Sequence, residues 1–172
     1  RKPDDKASYA EAADAYELSG RAKEGVKEWD IYLQRKPKDV HAHLQKARML
    51  VSLQQLDEGR KEYQTALTLE PETPKTLNER SLVGIQRVQA YRGLADICRQ
   101  QQKHEEGVGY LVKAKAIDLA SSKTFSVPPS TDLLAELASM YALAGKNAEA
   151  IREYDDLALY PGREISALQE MA

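Results

Sequence analysis

The chain has 172 residues, with 25 Lys and Arg against 27 Asp and Glu, for a formal net charge of −2. That balance, with a pI near 6.0, supplies no basic field for nucleic acid, and no apolar run reaches the roughly 18 residues needed to span a bilayer. A single cysteine, Cys98, excludes an intramolecular disulfide and a cysteine-based zinc cage, while a mean hydropathy of −0.61 fits a soluble chain.

In chain order, helices are predicted over 6–19, 22–35, 40–54, 57–70, 76–102, 105–118, 131–144, 147–159 and 163–172. Their apolar residues recur at helical spacing, as in Leu134, Leu137, Ala138 and Tyr141. Gly20 and Gly145 suit turns between helices, and Pro37 and Pro71 end helices and launch the next unit. Within 76–102, Gly84 and Gly93 each cost about 1 kcal/mol relative to Ala, so this stretch reads as one long helix or two pieces. Residues 121–130, which include Val127-Pro128-Pro129, read as a surface loop. The last helix carries Ile165, Leu168 and Met171 on one face and is expected to cap an open end or to begin a further unit.

Four short phrases rhyme along the chain: Lys23-Glu24-Gly25, Asp57-Glu58-Gly59, Glu105-Glu106-Gly107 and Ala148-Glu149-Ala150. Glu24 and Glu58 are 34 residues apart, as are Pro37 and Pro71; the next two intervals stretch to 48 and 43. A small residue recurs in the first helix of each unit (Ala13, Ala47, Ala95, Ala138), with a larger one three positions on (Tyr16, Leu50, Cys98, Tyr141). The second helix repeats a small residue (Gly25, Gly59, Gly107, Ala150), a large one (Trp29, Tyr63, Leu111, Tyr154) and a further packing position (Tyr32, Ala66, Ala114, Leu157). In this pattern the small residues let two helices approach closely and the aromatics fill the gap to the next pair.

On these residues, and on the 34-residue period, the chain resembles the tetratricopeptide-repeat family. The resemblance implies an all-α fold, a right-handed α-α superhelix of four helix-turn-helix repeats plus a C-terminal capping helix. It implies a single domain over 1–172 with repeats at about 6–39, 40–73, 74–120 (with an extended first helix) and 131–162, the loop at 121–130 and the capping helix at 163–172. Gly in place of the usual Ala in three second helices loosens those helices, and Leu119 and Gly162 where a closing proline is usual make the third and fourth repeats less regular.

The family's groove positions, carried over, fall on Ala10, Asp14 and Glu17; His41, Leu44, Arg48 and Val51; Gln89, Arg92, Asp96 and Arg99; and Asp132, Ala135, Ser139 and Ala142. The resemblance thus implies a protein-interaction scaffold or adaptor that binds a partner segment in its groove without catalysis. A negative group on that segment is expected to meet Arg48, Arg92 and Arg99; the plainer reading pairs these arginines with Asp14 and Asp96. Family members that clamp Hsp70 or Hsp90 C-terminal tails use Lys and Asn, then Asn, then Lys and Arg where this chain has Ala10 and Asp14, then Gln45, then Gln89 and Gly93, so such tails are not expected to bind. The alternative is a structural protein that self-associates through its ends or inserted segments.

No catalytic, cofactor or metal constellation is expected. His41 and His43 stand two apart on a helix and so point to different faces, and both read as ordinary surface residues. Gly145-Lys146 follows a helix and lacks an upstream glycine-rich loop. Cys98 reads as a buried inert thiol, and the Tyr and Trp residues as core rather than as a stacking platform. The compartment is left open: cytoplasmic, or periplasmic or lumenal if a targeting segment has been removed.

Overall fold

The chain builds its structure from antiparallel helix pairs, and a computed structural model describes residues 5–69 and 76–159. Eight helices occur among these residues: α1 (Lys6–Leu18), α2 (Ala22–Arg35), α3 (Val40–Ser52), α4 (Leu56–Thr68), α5 (Leu77–Gln100), α6 (His104–Phe125), α7 (Thr131–Leu143) and α8 (Asn147–Ala158). The expected closing Pro71 and the capping helix at 163–172 lie outside the described residues. The chain divides into two compact units, 1–93 and 94–172, with α5 running through the boundary.

The turn inside each pair is the same object four times. Gly20, Gln54, Gln102 and Gly145 all adopt left-handed backbone, with φ of 73°, 61°, 57° and 74°. In each, the left-handed residue donates its N–H to the carbonyl three residues back, and its successor donates to the carbonyl five back. The pairs run Gly20 to Glu17 and Arg21 to Tyr16; Gln54 to Val51 and Gln55 to Leu50; Gln102 to Arg99 and Lys103 to Cys98; Gly145 to Ala142 and Lys146 to Tyr141. This paired C-cap satisfies carbonyls that a helix end leaves orphaned. The four turns are spaced by the same intervals as the rhyming phrases, so the repeat is written in backbone conformation as well as in residues.

Helix starts are fixed locally. Asp39 caps α3 by accepting from the Ala42 N–H at 3.1 Å, and Ser130 caps α7 by accepting from the Leu133 N–H at 3.3 Å. At α5, Thr76 Oγ1 accepts from the Glu79 N–H at 3.1 Å and Glu79 Oε2 accepts from the Thr76 N–H at 3.2 Å. This reciprocal capping box launches one continuous helix, in which Gly84 and Gly93 make no break.

The expected loop at 121–130 is corrected: α6 continues to Phe125, and only Ser126–Ser130 is non-helical. Nothing in Ser121-Ser122-Lys123-Thr124 breaks a helix. The hydroxyls of Ser121 and Thr124 bond back to the carbonyls of Ile117 (3.0 Å) and Ala120 (2.8 Å), and Ser122 is buried. The helix stops where Ser126 turns left-handed, φ 54°, two residues before the proline pair.

In the first unit, Ala13 and Ala47 are fully buried, and around them pack Tyr9, Trp29, Tyr32, Leu33, Ala42, Leu44, Met49 and Leu50. Each large apolar side chain so buried contributes about 1.5–3 kcal/mol, and the alanines bring the helix axes close enough for those contacts to form. Tyr9 and Tyr32 meet at a tilt, 5.5 Å between ring centres, and Trp29 meets Tyr32 edge-on at 6.0 Å. In the second unit the core holds Cys98, Leu111, Ala114, Leu133, Leu137, Ala138 and Met140. There Lys115 binds Glu153 at 2.6 Å, and Asp118 accepts from the Ser130 N–H at 2.7 Å. Tyr16 and Tyr141, expected as packing residues, are only partly buried; Tyr16 instead lies under the Arg21 guanidinium, 5.0 Å from its ring centre.

Candidate functional site: an open cavity in the first unit

The first helix of a pair presents to solvent the face that its partner helix does not cover. Positions four and three apart share that face, so Ala10 and Asp14 on α1, His41, Leu44, Gln45 and Arg48 on α3, and Gln89 and Arg92 on α5 are brought together. They line a cavity of about 450 Å³, to which α2 and α4 add Trp29 and Tyr63. Tyr63 reaches it because α5 carries glycine opposite: a Cβ on Gly93 would lie 2.6 Å from Tyr63 Cε1 and against the ring's other edge.

The cavity combines apolar and polar groups. Trp29, Leu44 and Tyr63 are all buried, and His41 sits edge-on to the Trp29 indole at 6.2 Å. Burial first, and then the nearby Lys6 charge, hold the His41 imidazole below its usual range, against Asp39 and Asp14, so it is neutral at pH 7. His41 Nδ1 has no hydrogen-bond partner among the described residues. On the rim, Arg48 donates to Glu17 Oε2 at 2.9 Å and lies 3.8 Å from Asp14 Oδ1, tying α3 to α1.

Among the residues predicted for a groove, Asp14, His41, Leu44, Arg48, Gln89 and Arg92 line this cavity. Glu17 stands beside it as the partner of Arg48. Leu44 and Val51 are covered, the first at 4% and the second at 9% exposure, so Leu44 contributes floor rather than rim. Asp96, Arg99 and Ser139 belong to the second unit; Asp96 accepts from Gln100 Nε2 at 2.9 Å, and Arg99 is exposed. Of the three expected arginines, Arg48, ion-paired to Glu17, and Arg92 line the cavity of the first unit. Sequence reasoning placed Trp29 and Tyr63 in the core alone; they are core on one side and cavity floor on the other.

A second cluster lies on the other side of α3. His43, expected at the surface, is buried at 9% exposure. Its Nδ1 is 2.6 Å from Glu62 Oε2 on α4 and its Nε2 is 3.0 Å from the Pro37 carbonyl between α2 and α3. Lys46 on α3 reaches Glu62 Oε1 at 2.6 Å and Asp30 Oδ1 on α2 at 2.8 Å. Burial works against the charged form of each member; for His43 and Glu62 their mutual hydrogen bond, and for Lys46 its bonds to Asp30 and Glu62, prevail. The His43 and Lys46 pKa values are raised and that of Glu62 is lowered.

Among the described residues no helix is long and apolar enough to cross a membrane, and no group of three or more His, Cys, Asp or Glu could hold a metal ion.

Paired helices, a recurrent left-handed turn and small residues at each crossing define a protein of tetratricopeptide-repeat fold, an all-α helical-repeat solenoid. The crystal structure of MamA is similar, with a TM-score of 0.63 at 14% identity over 84% of this chain and 71% of that one. A MamA fragment from Desulfovibrio magneticus RS-1 (TM-score 0.36, 13% identity, 92% and 96% covered) and YrrB, described as a TPR protein with an unusual peptide-binding site (0.39, 12%, 99% and 93%), align more loosely. No protein-family model and no curated protein sequence matches the chain.

Proposed function

We propose that this protein is an interaction module, without catalysis, that holds a segment of a partner protein in the cavity of its first unit. The observation that carries the reading is the cavity's composition: an aromatic and aliphatic floor (Trp29, Leu44, Tyr63) beneath a polar rim (Asp14, Gln45, Arg48, Gln89, Arg92). Such a floor suits one apolar side chain of an extended or helical segment, and the rim's side-chain amides suit its backbone. An acidic group on the segment exchanges with Glu17 for Arg48 and also meets Arg92. Asp14 at the rim repels a terminal carboxylate, which argues against Hsp70 or Hsp90 tails as the ligand.

The test is direct. With the partner segment isolated from the native source by cross-linking, fluorescence anisotropy measures its affinity for chains carrying Arg48→Glu, Arg92→Glu or Ala10→Trp. Each is expected to weaken binding at least about tenfold, by loss of a charge-assisted contact or by filling the cavity. Affinity unchanged in all three rules out this cavity as the binding site.

A second reading, self-association, is favoured by α5. Relative to Ala47 and Val40 in α3, Ala95 places residues 77–87 as an N-terminal overhang with no counterpart in α3. The overhang exposes Leu77, Leu82 and Ile85 at 58%, 54% and 52%. Sedimentation over a hundredfold concentration range decides: a monomer throughout removes this reading, and dissociation of an oligomer by Ile85→Asp supports it.

A further inference from the structure

His43 is held in a way that only one of its protonation states can satisfy. Both ring nitrogens face acceptors, Glu62 Oε2 at 2.6 Å and the Pro37 carbonyl at 3.0 Å. A neutral imidazole has one N–H and one lone pair, so after proton loss one of these acceptors confronts a lone pair in a buried place. The two acceptors belong to different repeats: Pro37 closes the first and Glu62 sits on the second helix of the next.

We propose that His43 is a protonation-dependent fastener of the junction between the first and second repeats, holding the cavity wall rigid when the imidazole is charged and loosening it when the proton leaves. The groups that face it are few. From α4 comes Glu62; from the α2–α3 turn, the Pro37 carbonyl; from α3 itself, Lys46, which opposes the positive charge; and from α2, Asp30, which holds Lys46 at 2.8 Å and so keeps it on Glu62 as well. Lys46 stays charged across the range in which His43 titrates, so the carboxylate is never left unpaired and the junction loosens without coming apart. Trp29 on α2 and His41, Leu44, Gln45 and Arg48 on α3 are the cavity residues that this junction positions. His41 does not blur the effect, since burial keeps it neutral over the range in which His43 changes state.

The direction follows from linkage. A histidine whose folded pKa is raised stabilises the fold fully below its unfolded value, about 6.5, and that stability is lost as pH rises through the folded pKa. The junction is therefore tight at mildly acidic pH and looser at alkaline pH. The proposal does not depend on what the cavity binds, because the protein alone is measured.

Two measurements on the intact chain test it. Nitrogen-detected NMR of the histidine rings is expected to show His43 protonated at both nitrogens, with a midpoint above about 6.5. Amide hydrogen exchange of Ala47 and Leu50 in α3, corrected for intrinsic base catalysis, is expected to quicken about tenfold as pH passes that midpoint, the size of one charge-assisted hydrogen bond. Leu137 and Ala138 in α7 are expected to stay flat. In His43→Gln the α3 amides are expected to exchange at the faster level at every pH. A His43 midpoint at or below about 6.5, or the same α3 pH profile in wild type and His43→Gln, overturns the proposal. The ring titration needs no variant, so it remains decisive if His43→Gln fails to fold.

Discussion

Adding a single methyl group at Gly93 tests whether the close approach of α5 to Tyr63 is a structural requirement. A Cβ there would meet three atoms of the Tyr63 ring, Cε1 at 2.6 Å among them, where ordinary carbon–carbon contact is about 3.5–4.0 Å. The ring must swing by roughly an ångström, and it is buried at 7% exposure, so it moves into the cavity or pushes α5 outward. Overpacking of this kind costs about 1–3 kcal/mol, while Ala for Gly in a helix returns about 1 kcal/mol. Gly93→Ala is therefore expected to be neutral to destabilising, by about 0–2 kcal/mol. Gly109 in α6, where an added Cβ meets nothing within 4 Å, serves as the control and is expected to gain about 1 kcal/mol. Urea unfolding followed by far-UV circular dichroism measures both. A double-mutant cycle isolates the cause: in a Tyr63→Leu background, which lacks the ring atoms, Gly93→Ala is expected to become stabilising. Gly93→Ala matching the gain of Gly109→Ala in the wild-type background would refute the close-approach argument.

Further outcomes are expected of the turns and caps. Gln102 holds left-handed backbone at φ 57°, a conformation that costs a side-chain-bearing residue about 1–2 kcal/mol; Gln102→Gly is expected to raise Tm by about 2–4 °C for a chain of this size, measured by calorimetry. Asp39 caps α3 and accepts from the Tyr32 hydroxyl at 2.8 Å, so Asp39→Ala is expected to lower stability by about 2 kcal/mol in urea titration. Burial raises the Asp39 carboxyl, but its bonds from Tyr32 and the Ala42 N–H, with Lys6, hold it below the usual range. Its stabilisation is thus present above its unfolded pKa near 4 and lost as pH falls through the folded value, as is that of Glu62. Protonation of the normally neutral His41 destabilises in the same acid direction, so Tm is expected to fall below about pH 5, and less steeply in Asp39→Ala.

Much of this fold is legible in the sequence because small and large residues alternate at fixed intervals, and the four alanines of the first helices are all buried where the period puts them. The turns are half legible: glycine announces Gly20 and Gly145, but nothing about Gln54 or Gln102 signals left-handed backbone, which the paired hydrogen bonds impose. Thr76 and Glu79 carry the capping-box spacing and mark the start of α5, whose first residue is Leu77, one position after the expected start at 76. The end of α6 is misread because Pro128 and Pro129 mark a loop without showing how far back it reaches, whereas the Ser121 and Thr124 hydroxyls before them bond back onto the helix. His43 is misread because a spacing of two shows that it and His41 diverge without showing that one divergent direction leads into a buried carboxylate on α4. At the cavity, first-helix residues are legible from their periodicity, while Trp29 and Tyr63 are not: a large residue at a packing position can fill the core and still offer an edge to the cavity beside it.

The chain has a single tryptophan, and it lies in that cavity floor against His41. Its indole is therefore an optical reporter already in place, needing no label. Whatever enters between α1, α3 and α5 settles beside that buried ring, and the emission of one residue reads the arrival without interference from any other tryptophan.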